Sequence, residues 1–307
     1  MRVLYSPDEL LQPLPHPIAT VGNFDGVHLG HQRILQALRE RSVAASGTVV
    51  VISFHPHPQK VLHPDSAPRL IATREQKLCL LEKAGVDLLL ELPFTRQLAE
   101  LSPEEFVRRT LLKGLGLREI HIGRNFRFGH ERQGNFATLQ RLGQENGFVA
   151  MPVTGVRYQD HRISSSRVRR ALADGDIRLA TALLGREDEL IGLVVRGDGR
   201  GTTLGFPTAN LAIENELIPL TGVYVTRFLV NGGVYPSLTN IGSRPTFLGA
   251  GQAVESHLIG YSGDLYGRRV ALRFVDRLRD EVRFARPGQL KTQIEADISR
   301  ARRVLGV

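Results

Sequence analysis

Thr20-Val21-Gly22-Asn23-Phe24-Asp25-Gly26-Val27-His28-Leu29-Gly30-His31 decides the fold of the first half of this chain. The apolar run Ile18-Ala19-Thr20-Val21 that leads into it predicts a buried strand, and Gln32 to Arg39 after it predicts a helix. Two glycines and the Asp25-Gly26 step predict the turn between them. A helix start offers backbone N–H groups without intrahelical partners and the positive end of the helix dipole, so it favours phosphate. His28 and His31, three residues apart, add ring donors at the same place. Such a site suits an anion whose charge grows during reaction, such as a nucleotide phosphate under attack. The alternative is a plain tight turn carrying two unrelated histidines. A metal pair is disfavoured because no cysteine or third ligand stands nearby. Neither familiar phosphate fingerprint, G-x-G-x-x-G or G-x-x-x-x-G-K-[ST], is present at this turn.

The same alternation continues. Thr48 to Phe54 is a β-branched run of the kind buried on both faces of a parallel sheet, and it ends in His55-Pro56-His57-Pro58. Thr73 with Gln76, and Ser102-Pro103-Glu104-Glu105, are helix starts. Val86 to Glu91, Glu119 to Ile122 and Phe148 to Val153 read as further strands, and Asn135 opens a helix reaching about Asn146. Strands alternating with helices predict an α/β domain with an open parallel sheet and helices on both faces. Ligands bind beyond the carboxyl ends of such strands. The opening turn, the His-Pro-His-Pro loop and Gly123-Arg124-Asn125 should therefore edge one crevice. In Arg162-Ile163-Ser164-Ser165-Ser166-Arg167-Val168-Arg169-Arg170 a serine triplet precedes a helical pattern. Alone it reads as a capped helix with solvated arginines; beside the histidine turn it predicts the second side of a clamp on a triphosphate. Asp176 starts another short helix that ends at Gly185, and the domain boundary is placed there: residues 1–184 and 185–307.

The second half changes character. Val223 to Val230, Asn231-Gly232 and Val234 to Leu238 form a strong hairpin signal. Val254 to Ile259 and Arg269 to Val275 are further strands, and no crossover helices separate them. The expectation is a small antiparallel β-barrel. Leu290, Ile294, Ile298, Ala301 and Leu305 recur at helical spacing, which predicts a final helix packed on that barrel. Two stretches here could carry chemistry. In the first, Gly197, Gly199 and Gly201 would let backbone approach a phosphate, and Thr208 and Asn210 share one face of an extended segment, where a hydroxyl and an amide oxygen can hold Mg2+. The alternative is a flexible glycine loop beside an edge strand marked by Pro207. In the second, alternation puts Glu255 on the face opposite Val254, Ser256 and Leu258. A carboxylate facing into a small barrel would be desolvated and suited to accept a hydroxyl proton; the alternative is an outward, solvated glutamate.

Composition bounds the answer. The chain has 307 residues, enough for two cores, and its 42% hydrophobic and 23% charged residues are those of a globular protein. Cys79 is the only cysteine, which excludes an internal disulfide and a cysteine-based metal cluster. No segment approaches membrane-spanning length, and Met1 to Pro17 lacks a signal-peptide core, so a cytoplasmic location without membrane partners is expected. The net charge of +9 is scattered rather than clustered. It argues for anionic small molecules more than for nucleic acid.

Taken together these stretches resemble one family. Gly-Asn-Phe-Asp-Gly-Val-His-Leu-Gly-His, His-Pro-His-Pro, Gly-Arg-Asn-Phe-Arg-Phe-Gly, Arg-Ile-Ser-Ser-Ser-Arg-Val-Arg, Gly-Phe-Pro-Thr-Ala-Asn, Gly-Val-Tyr, Ile-Gly-x-Arg-Pro-Thr-Phe, Val-Glu-Ser-His and Asp-Leu-Tyr-Gly occur in this order. The chain is similar nearly end to end to the bacterial bifunctional riboflavin kinase and FMN adenylyltransferase, or FAD synthetase. That resemblance implies a Rossmann-like nucleotidyltransferase domain followed by a flavokinase barrel. It implies ATP as co-substrate, riboflavin, FMN and FAD as substrate or product, pyrophosphate as by-product, and Mg2+ as metal. Glu255 would be the general base of the kinase step, with Thr208 and Asn210 at the metal and the Gly197–Gly201 loop over the nucleotide. His28 and His31 would stabilise the α-phosphate under attack. Ser164, Ser165, Ser166, Arg162, Arg167 and Arg169 would grip phosphates, while Gly22, Asn23, Phe24, Asp25, Gly30 and Asn125 would place nucleotide or flavin. Any homo-oligomer is expected to be weak. Departures from the family are Ser166 in place of the usual Thr, Asn125 where many members carry Asp, and Thr202-Thr203 where many carry a basic residue. With no Trp in the chain, flavin stacking would fall to Tyr, Phe or aliphatic side chains.

Overall fold

The computed structural model describes residues 1–197, 201, 205–246 and 249–307; the expected phosphate-loop residue Gly199 lies outside them. The chain divides into two compact units, Met1–Arg69 with Arg74–Ser164, and Leu70–Thr73 with Ser165–Val307.

The first unit holds a six-stranded sheet of β1 (Arg2–Leu4), β2 (Pro17–Val21), β3 (Thr48–His55), β4 (Leu88–Pro93), β5 (Glu119–Gly123) and β6 (Val149–Val153). All pairings are parallel and the order is β1-β4-β3-β2-β5-β6. The chain steps from β2 to β3 and β4 on one side and returns to β5 and β6 on the other. The order therefore reverses between β2 and β5, where an open α/β sheet forms its ligand crevice. Helices α1 (Leu29–Ala45), α2 (Pro58–Leu62), α3 (Arg74–Lys83), α4 (Arg96–Ala99), α5 (Pro103–Phe106) and α6 (Phe136–Asn146) connect the strands. Leu35, Leu38 and Leu81 cover one face of the sheet with Ile18, Val49, Val51 and Leu89. Phe106, Leu111, Leu139 and Leu142 cover the other with Ala19, Val50, Ile52 and Ile120. The capping box at Ser102 and Glu105 and the Asn135 cap form as the sequence predicts. β1 and the π-helix Val107–Gly114 carry no clear sequence signal. A two-stranded ribbon, β7 (Arg157–Tyr158) and β8 (His161–Arg162), ends this unit.

The second unit begins with α7 (Ser165–Ala173) and α8 (Ile177–Leu184), followed by β9 (Asp188–Val195), β10 (Ala209–Ile213), β11 (Gly222–Val230), β12 (Gly233–Thr246), β13 (Gly249–Leu258) and β14 (Arg269–Arg279). These six strands close an antiparallel barrel in the order β10-β13-β12-β11-β14-β9. Because β10 pairs with both β9 and β13, Pro207 does not mark an edge strand. By packing, the division falls at Ser164/Ser165, earlier than the sequence boundary at 184/185. The two helices pack with the barrel: Leu220 N–H donates to Leu172 O, and Arg178 pairs with Asp276 at 2.6 Å.

The barrel interior carries Tyr224, Phe228 and Phe274 with a buried hydroxyl cluster, Thr226, Ser237, Thr239 and Ser256. Val223, Val225 and Leu238 face the other way, against Ile298, Ala301 and Leu305 of the final helix α9 (Pro287–Leu305). Glu255 shares the outward face with Leu238 and Asn240, since Asn240 stands directly opposite it in the β12–β13 register. Of the two readings of Glu255, the outward one is found and the one facing into the barrel is not. Both faces of this wall are covered, so alternation alone could not say which was inside.

Candidate active sites

The opening turn is held from both ends. Gly22 N–H donates to Ile52 O at 3.0 Å, and Gln32 Nε2 donates to Val27 O at 2.9 Å. Phe24, Gly26 and Val27 all have positive φ, at 52°, 74° and 37°. For a β-branched valine that is a strained conformation, retained here because its side chain is buried in the core cluster with Leu35 and Leu38. Phe24 is only 1% exposed, and its ring packs 4.7 Å from the ring of His31. It supports the histidine from the core instead of lining the crevice.

His28 is the N-cap of α1, and its Nδ1 accepts from the N–H of His31 at 3.3 Å. An accepting Nδ1 carries no proton, so the ring proton of His28 sits on Nε2. The two histidine rings stack with centroids 3.7 Å apart and planes 15° apart. Gly30 makes room for this: a Cβ there would lie 3.1 Å from the His28 ring and 3.6 Å from Ile163 O. Burial first, and then the neighbouring His28, push the pKa of His31 well below the ordinary histidine value. His31 Nδ1 is buried with no hydrogen-bond partner among the described residues. A bare acceptor is tolerated better than a bare N–H, which places the proton of the neutral His31 ring on Nε2. The pair therefore offers two ring N–H donors, that of His31 on a neutral ring, at the positive end of a helix of 17 residues.

A buried relay lies beneath the turn. The Asn23 amide sits 3.0 Å from His57 Nε2, and His57 Nδ1 accepts from Gln59 N–H at 3.2 Å as the cap of α2. Ser53 Oγ donates to Asn23 O and accepts from Lys77 Nζ, both at 3.4 Å, and Lys77 pairs with Glu91 at 2.8 Å. Burial would raise the pKa of Glu91, but Lys77 and Arg74 together hold it below the usual carboxylate range. Sequence reasoning missed this group. Its signal was a lysine four residues before Leu81, on the buried face of α3. Asp25 is buried, Asn125 is exposed after β5, and Arg162 Nη2 comes within 3.3 Å of the space a Cβ on Gly123 would occupy. Ser164 closes the first unit. Ser165, Ser166, Arg167 and Arg169 open α7, whose buried side is Val168, Ala171 and Leu172.

In the second unit a cleft of about 510 Å³ opens between the outer barrel wall and α9. Thr208, Asn240, Glu255 and His257 stand on the wall; Leu290, Ile294 and Asp297 come from the helix. The sequence places Leu290 and Ile294 on the packed face, but they border the cleft instead, leaving Ile298, Ala301 and Leu305 to pack on the barrel. Asn210 stands opposite Glu255 in register, so the two side chains share the wall. Close approach by glycine is real here. A Cβ on Gly197 would meet Asn210 Nδ2 at 2.2 Å, and one on Gly201 would meet Phe206 O at 2.4 Å and Thr208 Oγ1 at 3.2 Å. Arg279 fastens Asp297 at 2.8 Å at the margin of the cleft. Apolar surface beside hydroxyl, amide and carboxylate groups suits a small ligand with an apolar part and a polar part.

Comparison with known proteins finds a family model over each half of the chain. A family model described as FAD synthetase matches residues 12–167, and one described as riboflavin kinase matches residues 184–305. A bifunctional riboflavin kinase/FMN adenylyltransferase of Pseudomonas fluorescens is 43% identical over 93% of this chain and 92% of its own length. The protein of that description from Escherichia coli K12 is 40% identical over 94% and 93%. A crystal structure described as a macrolide-efflux protein from Streptococcus pneumoniae superposes with a TM-score of 0.91 at 29% identity, covering 98% of each chain. Among the described residues of the present chain no helix is long and apolar enough to cross a membrane.

Proposed function

The chain belongs to the family of bifunctional riboflavin kinase/FMN adenylyltransferases and makes FAD from riboflavin; from that premise we propose which residues carry each step. The kinase site is the cleft between the barrel wall and α9, and residues 185–307 carry that activity. Glu255 accepts the proton of the ribityl 5′-hydroxyl as its oxygen bonds to the γ-phosphorus of ATP; the bond to the bridging oxygen breaks and ADP leaves. The observation that carries this is the register: Asn210, Glu255 and Asn240 stand side by side across β10, β13 and β12 on the cleft side. Leu290 and Ile294, from α9, give the flavin ring an apolar bed without tryptophan.

Thr208 and Asn210 supply neutral oxygen donors, and among the described residues no three His, Cys, Asp or Glu side chains converge as metal ligands. That donor set fits a Mg2+ whose remaining ligands are water and phosphate. When bound, the ion neutralises phosphate charge during transfer. The protein's own part is positioning: Gly197 and Gly201 let Asn210 and Thr208 lie against the loop.

The adenylyltransferase site lies beyond β2 and β5 in the first unit, and residues 1–184 carry that activity. An FMN phosphate oxygen attacks the α-phosphorus of a second ATP, and pyrophosphate leaves. His28 and His31 donate from Nε2 to the α-phosphate oxygens as negative charge builds on them, helped by the first N–H groups of α1. Asn23, held by His57, and Arg162, beside Gly123, orient the nucleotide. The reaction is placed in the cytoplasm, where ATP is at hand.

The test is direct. Purified protein is incubated with riboflavin, ATP and Mg2+, and the flavins are separated by chromatography. FMN should appear first and FAD after it. FMN that never becomes FAD would remove the adenylyltransferase assignment, and unchanged riboflavin would remove both.

A further inference from the structure

His257 lies on the cleft wall two residues beyond Glu255 and on the same face. Its Nδ1 is 2.8 Å from Pro207 O. A carbonyl only accepts, so His257 donates and its ring proton is on Nδ1. The β10–β13 ladder ends at the pair Ala209 and Ser256. One step further, Thr208 would face His257, but Pro207 has no N–H with which to continue the ladder. The imidazole replaces the missing rung. The same segment is fixed from its other end, where Phe206 N–H donates to Gly201 O at 2.9 Å, and the Phe206 ring meets the His257 ring edge-on at 5.7 Å. Phe206, Pro207 and Thr208 are thus tied to β13 by a side chain.

We infer that His257 is a positioning residue for the phosphoryl donor: through Pro207 O it holds the Thr208 hydroxyl where the metal-bound phosphates of ATP are to be met. The inference rests on the assignment of Thr208 and Glu255 to the kinase step. It predicts a division of effects that a loss of general stability would not produce. Removing the N–H should loosen the side of the cleft that holds ATP and leave the apolar bed for the flavin ring unchanged.

His257→Phe keeps a ring and loses the donor. His257→Asn offers an amide N–H near the position of Nδ1 and serves as the conservative rescue. In full-length protein, His257→Phe should raise KM for Mg·ATP in the kinase step by roughly threefold to tenfold, the cost of one lost hydrogen bond. KM for riboflavin should change less than twofold, and FMN-to-FAD conversion should match the parent, which shows that the chain is folded. His257→Asn should recover most of the loss. Calorimetric titration with ADP, with and without Mg2+, gives a readout independent of turnover: His257→Phe should weaken Mg·ADP by a similar factor. Unchanged KM for Mg·ATP, or a rise confined to riboflavin, would overturn the inference, as would equal loss in both variants. Failure of the underlying assignment looks different: Glu255→Gln or Thr208→Ala would then leave FMN formation intact.

Discussion

The side-chain amide of Asn210 rests against the α-carbon of Gly197, so closely that a methyl group there would come within 2.2 Å of Nδ2 and 2.4 Å of Cγ. Gly197→Ala must therefore turn Asn210 away from its place opposite Glu255. FMN formation should fall by about tenfold to hundredfold, the usual cost of misplacing a group by an ångström. Conversion of supplied FMN to FAD should stay within twofold of the parent. Separate assays of the two half-reactions check this, and equal loss in both would mean the variant is misfolded.

Glu255 is the proposed base, and Gln keeps its shape while removing its ability to take a proton. Glu255→Gln should lower kinase turnover by about 10²–10⁴, the range for general base catalysis. Adenylylation should persist. A variant retaining more than about a tenth of kinase turnover would exclude the role.

His31 makes a prediction with a definite sign. Its folded pKa is lowered, so the unfolded chain takes a proton more readily as the solution is acidified. The contribution of the neutral ring is therefore complete above about pH 6.5 and declines as pH falls from there toward the folded value. The Tm of the parent should drop more steeply between pH 7.5 and 5.5 than that of His31→Asn. Adenylylation, which uses neutral N–H donors, should not decline from pH 6 to 8 as an imidazolium mechanism would. His31→Ala should reduce it by about 10²–10³, the scale of one lost oxyanion donor, and spare the kinase.

Glu119 opens β5 at the end of the sheet away from the crevice. Arg41, at 2.7 Å, and then His16 and His121 hold its pKa at about 2, against the effect of burial. That stabilisation is present above about pH 4.5 and is lost as pH falls toward 2. Glu119→Gln should lower Tm by a few degrees at pH 7 and flatten the acid limb. Both catalytic steps should be unchanged at 25 °C. A loss of adenylylation in the folded variant would show that this end of β5 reaches the site.

Much of this was readable one residue at a time. Asn231-Gly232 forms its hairpin with φ of 51° and 76°, both left-handed, because few other pairs accept both. The caps at Asn135 and Asp176 satisfy helix N–H groups as their positions predict. His28 caps the helix that the turn was read to start. The direction of Glu255 was not readable, because period-two alternation says which residues share a face, not which face is inside. Here the interior carries hydroxyls and the exterior carries Val223 and Val225 under α9. The relay from Glu91 through Lys77 and Ser53 to Asn23 was hidden for another reason. Its members come from α3, two strands and the opening turn, and only the sheet order brings them together.

Leu70–Thr73 counts with the second unit although the chain on both sides of it counts with the first. Its backbone is used there: Leu217 N–H donates to Leu70 O, Leu70 N–H to Glu216, and Asn215 Nδ2 to Ile71 O. A gene cut at the boundary between the two activities would deprive the barrel of this strip and of two covering helices at once. A free-standing kinase made by such a cut would have to replace backbone partners that now come from far upstream.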